Sequence, residues 1–170
     1  MNASEKKELI ELLNKNWMTH DGMWFFHCLQ EFGIEKANEL NKSAISSLAP
    51  IETKRLIKFL HMENVSINTF NAFQRFFKSA NDLLIPDFMN VTLSFPETNI
   101  MHWQFKPENC FAYKGMVSAG VVDQYLCGVI YRIECWITSL GINYKVQPQI
   151  SKCLMIADGN CSGDFILEFP

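Results

Sequence analysis

The chain predicts an α+β fold, with helices first and an antiparallel sheet packed against helices second. Apolar residues recur at helical spacing through its first half. After Pro86 the apolar period drops to two, as in a half-buried strand. Beyond that point strand-like and helix-like segments follow in the order strand, strand, helix, helix and then further short strands, which suits an antiparallel sheet.

The first helix starts near Ser4, a residue type that caps helix N-termini, and carries Leu9, Ile10, Leu13, Trp17, Trp24, Cys28 and Phe32 on its apolar side. Gly22 weakens it by up to ~1 kcal/mol against alanine, so a bend is expected near His20-Asp21-Gly22, and Gly33 ends it as a C-terminal cap. A second helix is expected over about 34–48 and a third from Pro50, a residue well placed at a first helical position. A fourth, over about 66–80, lines up Phe70, Phe73, Phe76 and Phe77.

Met89, Val91, Leu93 and Phe95 then alternate with Asn90, Thr92 and Ser94, and Pro96-Glu-Thr-Asn99 turns the chain into a return strand over 100–105. A short helix is expected from Pro107 to near Gly120, and a longer one over about 124–140, capped by Asp123 and stopped by Gly141. Short strands over about 143–147, 152–156 and 164–169 complete the sequence. The whole reads as one domain, 1–170, with 1–84 mostly helical and 85–170 forming an α+β core.

Net charge is −3 with no block of Lys or Arg, which argues against nucleic acid and anionic membrane as partners. The polar start Met1-Asn-Ala-Ser-Glu lacks the apolar centre of a signal peptide. No stretch approaches the roughly 18 apolar residues of a membrane span. The expected setting is the cytoplasm.

There, six cysteines have little use as disulfides. Cys28 and Cys135 sit in apolar helical patterns and read as small core residues. Cys110, Cys127, Cys153 and Cys161 are the candidate ligands of zinc or another thiophilic metal, or else the thiols of a pocket. The close cysteine pairs of zinc ribbons are absent, so a metal site needs these four to converge in space. Cys127 falls at the start of a helix, where backbone N–H groups favour a thiolate. Tyr131 and Glu134 follow on the same helical face. Among Ile133, Cys135 and Trp136, the Glu134 carboxyl should resist ionisation and can act as a general acid or base, unless it pairs with Arg132. His20 beside Asp21 forms a candidate acid–base pair, with Trp24 one turn on as a ligand-contacting ring. Fourteen Phe and eight Met suit a bulky core or a wide apolar pocket.

Two segments carry resemblances. Trp17-Met-Thr-His20-Asp21-Gly22-Met-Trp24-Phe25, continuing through Glu31-Phe32-Gly33, resembles an uncharacterised prokaryotic family with a His-Asp-Gly-x-Trp-Phe motif. That family is similar to L-2-amino-thiazoline-4-carboxylic acid hydrolase-like proteins. Cys110, Cys127, Cys153 and Cys161 fall where its second half places cysteines. The tail, with Cys153, Gly159, Cys161 and Phe165, resembles four-vinyl-reductase-type ligand-binding domains, although Ser162-Gly163-Asp164 stands where an aromatic residue is expected. The resemblance implies the antiparallel α+β fold shared by haem-nitric-oxide sensors and a vesicle-tethering subunit, and fold alone does not settle function.

Three functions are therefore expected in turn. The first is a small-ligand- or metal-binding domain with a cysteine-rich pocket. The second is a hydrolase of a cyclic amide-like or thiazoline-like compound, with His20 activating water and Asp21 orienting it. The third is a homodimeric interaction module with structural cysteines.

Overall fold

A computed structural model describes residues 2–169. The fold is α+β, as the periodicities require: helix α1 (Ala3–Phe59), α2 (Phe70–Leu84), a 3-10 turn (Asp87–Met89), β1 (Val91–Ser94), β2 (Ile100–Phe105), α3 (Phe111–Ser118), α4 (Gly128–Ser139), β3 (Asn143–Gln147), α5 (Leu154–Ala157) and β4 (Ser162–Glu168).

The four strands form one antiparallel sheet in the order β1-β2-β4-β3. Alternation puts Met101, Trp103, Phe105, Gly163, Phe165 and Leu167 on the buried face and Thr92, Ser94, His102, Gln104 and Asp164 on the other. Trp103 and Gly163 are register partners. The pairing explains the glycine: a Cβ at Gly163 would collide with the Trp103 ring and with the Gln147 carbonyl of β3. Against this face packs α2, whose Phe73, Phe76, Phe77 and Ala80 are buried as one stripe. Phe73 meets Phe95 and Phe169 edge-on, and Phe77 reaches Trp136 of α4.

Several boundaries differ from the sequence expectation. The α1 N-cap is Asn2, whose side chain and that of Glu5 make a reciprocal capping box; Ser4 lies inside the helix. The helix passes through Gly22 without a break, and its interruption is at Gly33, with φ 79° and ψ 172°. The segments expected as separate helices around Pro50 are continuous, because a proline removes one N–H without stopping a helix already held by burial of Ala49 and Leu56. Helix α3 begins after Cys110 rather than at Pro107, and α4 begins after Cys127 rather than Asp123. The segment expected as a strand over 152–156 is the short helix α5, since a brief apolar run has no period of its own.

Candidate functional site

Two cavities lie on opposite sides of a thin wall, and Phe105, Ala112, Tyr125 and Val129 line both.

The larger holds about 920 Å³, is half open to solvent, and is bordered by the N-terminal part of α1, the 84–93 segment, α3 and α4. Such a volume is typical of small-molecule sites, which run from roughly 300 to 1,000 Å³. Met18, Phe25, Leu29, Phe88, Leu93, Met116, Val129 and Ile133 make its lining largely apolar. Behind the lining, buried Asn38 ties α1 to the chain before α4: its amide donates to Gln124 O at 2.9 Å and its Oδ1 accepts from Leu126 N at 3.1 Å. These bonds fix the loop that feeds α4. Gly128 lets α4 approach α1 so closely that a Cβ there would lie 2.7 Å from Asn41 Nδ2. Phe25 then packs edge-on against Tyr125, with ring centroids 5.7 Å apart, and closes the N-terminal part of α1 over the cavity.

Set into this apolar lining is one polar cluster. Arg132 makes a two-pronged ion pair with Glu52, through Nε to Oε2 at 3.0 Å and through Nη2 to Oε1. The Trp136 indole N–H also donates to Glu52 Oε2, at 2.9 Å. The Trp17 ring covers the guanidinium at 4.6 Å. The two charged side chains retain only 26% and 14% exposure. Sequence spacing gives no sign of this cluster, because 80 residues separate Glu52 from Arg132. It also settles the partner of Arg132, which is Glu52 rather than the neighbouring Glu134.

The smaller cavity is where the cysteines meet. Cys110, Cys127, Cys153 and Cys161 all line it, and all six cysteines of the chain are free thiols. Cys110, Cys127 and Cys153 are the N-cap residues of α3, α4 and α5, so three helix starts face one point. The cavity measures about 10 Å³. A single water needs roughly 10–15 Å³, so the space suits one atom-sized guest and no organic molecule.

Burial pushes the Cys110 thiol above its ordinary value, opposed by the first-turn N–H groups of Tyr113 and Ala112. It pushes Cys127 up to about 12 against the N–H groups of Ile130 and Val129. Cys161 likewise rises to about 12 through burial and then through Cys110; the Trp103 N–H acts in the other direction. That N–H is wholly buried and makes no hydrogen bond of full geometry, so its effect on the Cys161 sulfur is a weak one. The donor chemistry suits a thiophilic cation. The spacing does not, as it stands: among the described residues no group of three or more His, Cys, Asp or Glu is arranged to hold a metal ion.

The other sequence-selected residues do not gather in one place. Asp21 lines the larger cavity, while His20 beside it is exposed and does not. Trp24 is 64% exposed and lines neither cavity. Tyr131 and Glu134 do not join Cys127 in its cavity. Lys42 sits 4.9 Å over the Tyr131 ring. The Glu134 carboxyl is held above the usual range by burial, as its apolar neighbours suggest, and accepts a 3.3 Å hydrogen bond from Tyr144 that partly offsets it.

No helix among the described residues is long and apolar enough to cross a membrane. No curated protein matches the chain, and no solved structure does. Residues 1–94, which hold α1, α2 and β1, match the model of a family of unknown function, DUF6125, and the chain belongs to that family.

Proposed function

We propose that this chain is a small-molecule-binding protein whose ligand is mainly apolar and sits in the larger cavity. The observation that carries this reading is the cavity itself: about 920 Å³, lined mainly by Phe, Met, Leu and Val side chains, with the half-buried Glu52–Arg132 cluster in its wall to orient a guest. Its test uses Nile red, an uncharged apolar dye, and the Gly115→Trp variant. Gly115 lines the cavity from α3 and has open space where a Cβ would sit, so a tryptophan can be added there and takes up part of the cavity. Saturable dye fluorescence in the native protein, lost in a Gly115→Trp protein with unchanged circular dichroism, is the expected result. Equal dye binding by both proteins would overturn the reading.

A second reading, a thiophilic metal such as zinc in the cysteine cavity, is favoured by the three helix starts that bring Cys110, Cys127 and Cys153 to face Cys161. Binding there would require the sulfurs to close in from their present positions and to lose protons. Elemental analysis of anaerobically purified protein should then give about one equivalent, reduced in both Cys127→Ser and Cys161→Ser. Unchanged metal content in both variants would remove this reading. A hydrolytic role has less support, because of the expected pair only Asp21 reaches the larger cavity.

A further inference from the structure

We infer that the larger cavity selects an uncharged ligand carrying a hydrogen-bond acceptor, such as an ester or ketone, which is held by Arg132. The inference rests on the binding reading above and concerns which molecules that cavity admits.

Charge neutrality is the first argument. Glu52 and Arg132 lie in the cavity wall with little exposure and pair with each other, and the two other charged side chains of the lining, Lys15 and Asp21, are exposed and opposite in sign, so the lining carries no net charge. A carboxylate or phosphate set against this cluster would have to stay unpaired or displace Glu52, since the lining's other cation, Lys15, is exposed and already bridged to Glu11. Either outcome buries an uncompensated charge, and displacement also strips the acceptor from the Trp136 N–H. An ammonium faces the mirror problem, since Arg132 already holds both Glu52 oxygens and the lining's other carboxylate, Asp21, is exposed, where pairing is worth little.

Donor count is the second argument. A guanidinium has five N–H groups and no acceptor. Glu52 engages two of them, the Nε–H and one on Nη2, leaving three that Glu52 does not use. Trp17 and Trp136 cover the guanidinium by ring contact and accept no conventional hydrogen bond. The cluster therefore has donors in excess. A ligand that brings an acceptor satisfies one of them, and a plain alkane leaves it unmet.

The test compares methyl octanoate, octanoate, octane and octylamine, near neutral pH and below their aggregation limits. Binding is followed by the change in intrinsic tryptophan fluorescence, since two of the four tryptophans, Trp17 and Trp136, line the cavity. Methyl octanoate should bind about tenfold or more tightly than each of the other three, as expected for a hydrogen bond to a charged donor. In the doubly substituted Glu52→Gln, Arg132→Met protein, whose wall stays uncharged, the preference for ester over alkane should disappear. Octanoate or octylamine binding as tightly as the ester would overturn the inference, and so would octane, while each result would leave the binding reading standing. Saturable binding by none of the four would overturn the binding reading itself.

Discussion

The Trp136 indole donates to Glu52 across 2.9 Å, although 84 residues separate the two in the chain. With Arg132 on the same carboxylate, this contact joins α1 to α4 at the wall of the larger cavity. Replacing Glu52 by alanine leaves a largely buried guanidinium and an indole N–H without their acceptor. The loss should be about 3 kcal/mol, the low end for breaking a buried pair because some exposure remains. Glu52→Gln keeps an acceptor for Trp136 and should cost less. Urea unfolding of the two variants checks the order.

Gly163→Ala should destabilise the protein by about 2–3 kcal/mol, the cost of overpacking a close-packed interior. The added carbon would strike both the Trp103 ring and the Gln147 backbone, and the backbone cannot swing away. Gly115→Ala provides the contrast. It sits in a helix with open space around it and should be neutral or up to ~1 kcal/mol stabilising. A Gly163→Ala protein as stable as the parent would contradict the packing described for the sheet.

Gly33→Ala should cost about 1–3 kcal/mol for a different reason. No neighbour crowds the position, but its φ of 79° with ψ of 172° belongs to a region that residues with a Cβ hardly enter. The variant is expected either to lose stability or to straighten α1 through this point and draw Phe25 off Tyr125. Thermal melts report the first outcome, and small-angle scattering or loss of Nile red binding reports the second.

The fold was legible where a residue's neighbours in sequence decide its place. The alternation from Val91 to Phe105 and the turn at 96–99 gave the β1–β2 hairpin, and the phenylalanine stripe gave α2. Gly33 marked the break in α1 for the reason glycine usually does. Cys153–Ile156 misled because four or five apolar residues fit a strand or one helical turn equally well, and only packing decides. The convergence of the cysteines rests on three loops delivering three helix starts to one point, so the sequence could nominate the four without placing them together. The Glu52–Arg132 cluster left no local trace, since each partner alone reads as an ordinary charged residue on a helix.

The thiols make a prediction about alkaline pH in metal-free protein. Cys127 and Cys161 are raised from an ordinary value of 9.0 to about 12 in the folded state. The unfolded chain therefore releases these protons first, and it binds fewer protons than the folded chain between those values. Their contribution is fully present below about pH 9 and drains away as pH rises toward 12. Stability should decline over that window, and less steeply in Cys127→Ala than in the parent. At pH 8 the same two thiols should react with iodoacetamide far more slowly in the folded protein than in urea, because the thiolate is the nucleophile. Peptide mapping of the alkylated sites, with cysteines compared before and after denaturation, reads this directly.

The strand order has a consequence for the boundary of the family match. That match stops at Ser94, the last residue of β1, whose sheet partner is β2. β2 is in turn joined to β3 only through β4, the last strand in sequence. The phenylalanines of α2 likewise meet Phe95, Trp136 and Phe169, all beyond residue 94. The segment by which relatives are recognised is therefore not a self-sufficient folding unit. Excised at its own border it would carry a stripe of phenylalanines stripped of the neighbours that cover them, which in this chain come from the second half.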